Sequence, residues 1–336
     1  MYMQPWNVAA LRGPVAAGAL ADAAGTLAGG PCLQKTGAGT LQLRAGTQVE
    51  VGGRLLRFTA AKAVEMPALV AGSDYAVWIA ATGAVQASSN FVAAPGAGTW
   101  RLVGGFHYAP GGNAPARAGG DTVPAINEYS IWDVKWRPAC SDPRGMALVA
   151  GLFWADIYLC GVNHHLNGTS KFNVTIADGV SLPKVPLAFG GDGTTAYATC
   201  DWWTAGEVLT AYGKRLPSYS EFAALAFGSA EASGAGSDPA STILRAAYTS
   251  RWGVMLATGN MWTWGLPQGG GQGAAAYTAN TGGRGSTYLL PNAVLFGGNW
   301  NNGANCGSRA SIWNNSPANS NVNIGVRGVC DHLRLA

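Results

Sequence analysis

Residues 298–331 read GNWNNGANCGSRASIWNNSPANSNVNIGVRGVCD. Nine asparagines fall in this stretch: Asn299, Asn301, Asn302, Asn305, Asn314, Asn315, Asn319, Asn321 and Asn323. Between them stand residues of a different kind, Trp300, Arg309, Trp313, Gly325, Arg327 and Gly328. Aromatic, arginine and glycine positions suit a fixed scaffold. The asparagines read as one residue type written into whatever positions were free. A short side chain with one acceptor and two donors suits an adaptable polar surface. The plainer alternative is a loop in which Asn and Gly were chosen only for turns. The interleaved scaffold favours a displayed face, on which all nine asparagines are expected to be solvent-exposed. Trp300 and Trp313 are expected to be half core and half face. Arg309 and Arg327 are expected to brace loops through backbone carbonyls and a carboxylate such as Asp331.

The chain before this stretch supplies its support. VMLATGNMWTWG (254–265) and AVLFGGNW (293–300) are short apolar pieces separated by long loops, which in a compact domain tend to be functional. Trp262 and Trp264 alternate on one such piece and read as core. SYSEFAALAFG (218–228) is the clearest helix: Ser218 and Glu221 complete a capping box, and Gly228 is a natural stop. WWTAGEVLTAYG (202–213) is a second candidate. MALVAGLFWADIYLCGV (146–162) reads as a buried strand or strand pair; Asp156 interrupts it, and it is too short to span a membrane. LQLRAGTQVEVGGRLLRFTA (41–60) alternates apolar and polar residues around Gly52-Gly53, a hairpin signal. DYAVWIAATGAVQASS (74–89) repeats the form around Thr82-Gly83, and WRLVGGFHYAP (100–110) adds a strand. Short strands at this spacing imply an antiparallel sandwich or barrel. Residues 1–40 carry no sustained period and read as an N-terminal arm or attachment element, with a disordered tail as the alternative.

Composition narrows the class. The chain has 336 residues, 48% of them hydrophobic and 11% charged, with 49 glycines and 13 tryptophans. That is a globular composition, and few Lys and Glu favour strands and loops over long helices. The net charge of +4 includes no basic stripe, so nucleic acid is not an expected partner. Neither a signal peptide nor a membrane span is visible. Six scattered cysteines without a C-x-x-C pair read as buried thiols of a chain made in a reducing cytoplasm. A Cys306–Cys330 bridge is allowed but not demanded.

Five motifs in order carry a family: GKRLPSYSEFAALAFG (213–228), NMWTWG (260–265), FGGNW (296–300), SRASIW (308–313) and GVRG (325–328). Together they resemble the C-type-lectin-like fold of the formylglycine-generating-enzyme subclass. VGGFHYAPGGNAPARAGG, INEYSIWDVKWRP, DPRGMALVAGLFWADIYLCGVNH, KFNVTIADG, YTANTGGRGS and RGVCDHL narrow this to the major tropism determinants of phages, from about Ala45 to Leu335. Those are receptor-binding tips of tail fibres, diversified by a retroelement. The resemblance implies an α+β chain in three parts: an N-terminal arm (1–40), a β-sandwich intermediate domain (41–130) and a C-type-lectin-like domain (131–336) with a variable region at about 298–331. It implies a homotrimer on a virion, made in the host cytoplasm, with a host-surface protein or glycan receptor and other tail-fibre proteins as partners. The nine asparagines would then be the ligand-binding positions, with Trp300, Trp313, Arg309 and Arg327 as flanking scaffold or contacts. Template codons at such positions typically read Asn, so the face looks template-like. Residues 1–40 do not match that family's N-terminal prism.

Three other chemistries and a different setting compete. A formylglycine-generating enzyme needs a close cysteine pair, whereas Cys306 and Cys330 are far apart in sequence. Iron-dependent sulfoxide formation needs H-x-x-x-H-x-E, and His107, His164, His165 and His332 do not have that spacing. Each histidine is expected to be a surface or satisfied residue. Calcium-dependent sugar binding needs several carboxylates, and the variable stretch has none before Asp331. Asp178 and Asp192 precede glycines and read as turn residues. No catalytic residue, metal ligand or cofactor is assigned, and a structural ion is left open. A diversified binding protein of a bacterium, without a virion, is the runner-up.

Overall fold

A computed structural model describes residues 20–21, 30–271, 277–279, 286–288 and 291–334. Most of the expected N-terminal arm, and residues 280–285 of YTANTGGRGS, lie outside the described residues.

The N-terminal half is built from antiparallel hairpins. Strands β1 (Leu33–Gly37) and β2 (Thr40–Leu43) pair, so the end of the stretch read as an arm is sheet. Strands β3 (Gln48–Val51) and β4 (Arg54–Arg57) are joined by Gly52-Gly53, both with positive φ (+59° and +81°). A two-residue turn of that kind matches the right-handed strand twist, and only glycine adopts it without strain at both positions. Strand β5 (Ser73–Ala80) lies between β6 (Val85–Ser88) and β7 (Trp100–Ala109). It is buried from Tyr75 to Ala80, so both of its faces are covered. Tyr75, Val77 and Ile79 join a core with Leu41, Val49, Leu56 and Phe106. The alternate residues Ala76 and Trp78 pack with Trp132, Met146, Trp154 and Cys330. Period-two geometry thus lets one strand join the hairpins to the C-terminal half.

That half contains two four-stranded sheets. One has the order β8 (Trp136–Pro138), β15 (Val329–Arg334), β10 (Phe153–Asp156), β9 (Met146–Val149). The apolar run 146–162 is therefore a strand pair followed by loop. The other has the order β13 (Ser311–Asn315), β12 (Pro291–Phe296), β11 (Trp262–Gly271), β14 (Ile324–Gly325), with β14 parallel to β11. Helix α1 (Trp202–Thr210) starts where Asp201 Oδ1 accepts from Thr204 N at 2.9 Å. It packs Ala205, Val208 and Leu209 with Trp262, Trp264 and Leu295. Helix α2 (Tyr219–Leu225) has the expected Ser218–Glu221 capping box and packs Phe222 and Leu225 with Val294, Phe296 and Val329. Trp262 and Trp264 are core, as expected.

The α+β expectation is corrected. Strands predominate among the described residues, and the two α-helices have nine and seven residues. The physical reason is local: each helix is followed within a few residues by a glycine at positive φ, Gly213 or Gly228, which ends it.

Candidate functional site

The Asn-rich stretch is two loops and a strand. The first loop, 297–310, leaves β12 and returns as β13, with Phe296 opposite Ser311 and Leu295 opposite Ile312. Its backbone is closed by Gly297 N donating to Ala310 O (2.9 Å) and Gly307 N donating to Gly297 O (3.1 Å). Gly298 has φ +84°, and a Cβ there would lie 2.6 Å from Cys306 Sγ, so only glycine fits. Glu231 holds the far side, accepting from Ser308 N (2.9 Å) and Ser308 Oγ (2.6 Å). Trp300 is half-buried and packs with Leu159, Ile176, Leu256 and Met261. The second loop, 316–323, is also held by fixed groups. Pro317 O accepts from Trp202 N (3.0 Å), and Ser320 Oγ accepts from Cys200 N (2.9 Å).

The nine asparagines do not share one environment. Asn301, Asn305, Asn314 and Asn321 are exposed, and Asn302, Asn315, Asn319 and Asn323 are half-buried. Asn299 is 6% exposed, which corrects the expectation for that position. Its Oδ1 accepts from Asn301 N (2.9 Å), and its backbone N–H donates to Asn302 Oδ1 (2.8 Å). Asn299 thus shapes the loop from inside. Asn319 Nδ2 donates to Asn315 Oδ1 at 3.2 Å. Asn321 and Asn323 are held through their carbonyls, which accept from Gly179 N (3.1 Å) and Trp262 N (2.9 Å). Any residue supplies a carbonyl, so those two side chains are free to vary without loss of the anchor. Asn299, Asn301 and Asn302 form one group and Asn315 and Asn319 another; among the described residues no hydrogen bond joins the two.

Beneath the loops is a buried charge centre. Arg327 is fully buried; its guanidinium donates to the carbonyls of Met255 (2.7 Å), Asp156 (2.8 Å), Ile157 (3.0 Å) and Leu256 (3.4 Å). The bracing by carbonyls is as expected; Asp156 is bonded through its backbone carbonyl while its carboxylate acts on Arg327 only as a nearby charge, and the carboxylate of Asp331 is used elsewhere. Asp331 is exposed and pairs with Arg215 at 2.9 Å. Burial lowers the Arg327 pKa to about 10, against the pull of Asp156. Asp156 Oδ1 accepts from Lys214 Nζ at 2.5 Å, and its Oδ2 accepts from Gly328 N at 3.0 Å. Burial pulls the Lys214 ammonium down, but the Asp156 carboxylate holds it above its ordinary value. Burial pushes Asp156 up, opposed by Lys214, the Gly328 amide and Arg327. A Cβ at Gly328 would lie 2.7 Å from Asp156 Oδ2, which explains that glycine.

Arg309 and Trp313 are placed differently. Arg309 is exposed at the mouth of an open cleft of about 330 Å³, shared with Arg117, Phe227, Trp252 and Ser308. Its carbonyl accepts from Tyr219 Oη at 3.1 Å, so the bracing at this position runs through the backbone. Trp313 is 49% exposed and has Tyr219 and Phe296 as ring neighbours at 6.0 and 6.3 Å.

A family model described as the Mtd second domain matches residues 31–133. The tail fiber receptor-binding protein of Bordetella phage BPP-1 is 56% identical over 312 residues, which are 90% of this chain and 82% of that protein. The chain belongs to the major tropism determinant family. Solved structures of the family agree. The U1 variant of the Major Tropism Determinant has TM-score 0.88 at 56% identity, covering 91% of this chain and 85% of that one. The M1 variant has TM-score 0.89 at 55% identity, covering 92% and 85%.

His107 is a satisfied core histidine, with Nδ1 3.0 Å from Asp74 and Nε2 2.8 Å from Tyr158 Oη. His332 Nδ1 accepts from Trp154 Nε1 at 2.9 Å. His164 and His165 depart from the expectation: His164 is buried, His165 is half-buried, and none of their ring nitrogens has a hydrogen-bond partner. Asp178 and Asp192 are turn residues, each accepting from the two amides that follow its loop bend. All six cysteines are buried and free, including Cys306 and Cys330. Glu231 and Lys214 were missed by sequence reasoning. Asp156 carried a usable signal, since a carboxylate inside an apolar run needs a buried partner.

Proposed function

We propose that the protein is the receptor-binding component of a phage tail fibre, that it binds and does not catalyse, and that its ligand-binding positions are the Asn-rich loops. The observation that carries this is the division of labour in residues 298–331. The fixed groups make the loop anchors: Glu231 to Ser308, Trp202 to Pro317 O, and Arg327 to four carbonyls. Asn301, Asn305, Asn314 and Asn321 project exposed side chains. A retroelement can rewrite such positions without disturbing the backbone. Residues 41–130 serve as a β-rich spacer and 131–336 as the lectin-like display region, with Trp313 and Arg309 as contacts beside the variable positions. Asn299 belongs to the scaffold.

The ligand is a protein or glycan on a host surface, bound without a cofactor. At the variable positions asparagine supplies neither the aromatic nor the arginine anchors that dominate affinity, and with only Trp313 and Arg309 beside them a single site binds weakly. A homotrimer, repeated over several fibres, raises the effective affinity ~10²–10⁴-fold through local concentration. The encoding DNA tests the reading. The expected result is AAT or AAC at the variable asparagines, a near-identical repeat nearby, and genes for a reverse transcriptase and tail proteins. Absence of both the repeat and the reverse transcriptase would overturn the diversification. A secretion or anchor signal without tail genes would favour the bacterial binding protein.

A further inference from the structure

Cys140 and Cys330 lie apart from the display loops. The pairing of β8 with β15 runs Trp136↔Arg334, Arg137↔Leu333 and Pro138↔His332. It continues one step further, where Ala139 N donates to Asp331 O at 2.9 Å. The next position in that register sets Cys140 opposite Cys330. Ala139 and Asp331 are a hydrogen-bonded pair, so the two cysteines occupy a non-hydrogen-bonded site. Cα atoms there lie about 4.5 Å apart, the closest approach in an antiparallel ladder. Disulfides span Cα separations of roughly 4.4–6.8 Å. Both cysteines are 1% exposed, and their sulfurs converge on Met146 Sδ at 3.4 and 3.9 Å. Of the six thiols, these two are set face to face by the strand register.

We infer that Cys140 and Cys330 are a paired dithiol that closes to an intramolecular disulfide by exchange with a small-molecule disulfide. One of the two thiolates attacks one sulfur of oxidised glutathione, and one glutathione thiolate leaves. The other protein thiolate then attacks the protein sulfur of the mixed disulfide, and the second glutathione leaves. Two protein thiols are oxidised by two electrons, one disulfide is reduced to two thiols, and the two protein protons pass through solvent to the departing thiolates. The Cys140 thiol donates to Asp142 O at 3.1 Å in the reduced state. The buried Lys214 ammonium favours the thiolate at both positions, against burial. Burial raises Cys32, Cys160 and Cys200, which keeps those thiols protonated.

The bridge would join the strand that enters the C-terminal half to the last strand. It would enclose both display loops and the Arg327 centre within one covalent ring. Ring closure of that length constrains the unfolded chain and stabilises the fold. The chemistry is independent of what the loops bind.

The test uses the full chain, incubated with oxidised glutathione both folded and during refolding from urea, since burial slows access in the folded state. The expected result is a loss of two free thiols from the six and a peptide joined at 140–330 in non-reducing mass mapping. The thermal midpoint should rise by roughly 3–7 °C and return on reduction. Cys140→Ser and Cys330→Ser should each abolish the bridge and the shift, while Cys306→Ser keeps both. Six thiols remaining in both preparations, or a bridge between other cysteines such as Cys160 and Cys200, would overturn the inference.

Discussion

Replacing Arg327 with Met is the sharpest perturbation of the scaffold. Methionine replaces the apolar stem of the side chain but stops short of the guanidinium and removes every donor. The guanidinium makes three contacts of 3.0 Å or less, to the carbonyls of Met255, Asp156 and Ile157, and a longer one to Leu256. A hydrogen bond to a charged group contributes about 1.5–3 kcal/mol, and a buried carbonyl left without a donor costs about 1–3 kcal/mol. Asp156 also loses a positive neighbour. Against this, the variant no longer buries a guanidinium, which recovers part of the loss. The net expectation is a destabilisation of about 3–5 kcal/mol, the range for breaking a buried ionic network by removing one member. Urea unfolding followed by tryptophan fluorescence measures it, with Asn301→Ala and Asn314→Ala alongside. Those two exposed positions should change stability by no more than about 0.5 kcal/mol. A loss below about 1 kcal/mol for Arg327→Met, or equal losses at Asn301 and Asn314, would refute the division into scaffold and display.

Two further outcomes follow from the same structure. Glu231→Ala removes the acceptor for Ser308 N and Oγ; it should cost about 1–3 kcal/mol in the same urea assay, with Glu231→Gln recovering part of it. His164 has its pKa well below the ordinary value, first through burial and then through the positive charges of Lys214, His165 and Lys171. The unfolded chain therefore binds a proton at this histidine below about pH 6.5 that the folded chain refuses, and stability falls as pH drops. The contribution is at most about 1.4 kcal/mol per pH unit. Other groups titrate in the same range, so the readout is the difference between the wild type and His164→Gln between pH 7 and pH 5. A flat difference would sink the assignment.

How much was legible depended on how far apart the interacting residues lie. Ser218 and Glu221 declare their helix because both halves of the capping box are local. Gly52-Gly53 declares its turn for the same reason, since the required positive φ belongs to two adjacent residues. The Asn-rich stretch was legible as a pattern, but Asn299 could not be told from Asn301. What buries Asn299 is loop closure by Gly298 and Cys306, which composition does not encode. Lys214 sits 58 residues from Asp156, and the carbonyls that hold Arg327 come from residues 156–157 and 255–256. Such partners are chosen by topology, and a single sequence carries them only as the odd carboxylate in an apolar run. The fold class was misjudged because two well-capped helices drew attention from the Gly- and Trp-rich segments that became sheet.

The central claim is that exposed positions in 298–331 carry recognition while the residues between them carry the fold. Simultaneous randomisation of Asn301, Asn305, Asn314 and Asn321, followed by selection for adsorption to intact bacterial cells, tests it directly. The account predicts clones with altered cell-surface preference whose thermal midpoints stay within a few degrees of the parent. Clones that mostly unfold, or folded clones whose adsorption is indistinguishable from the parent's, would contradict it.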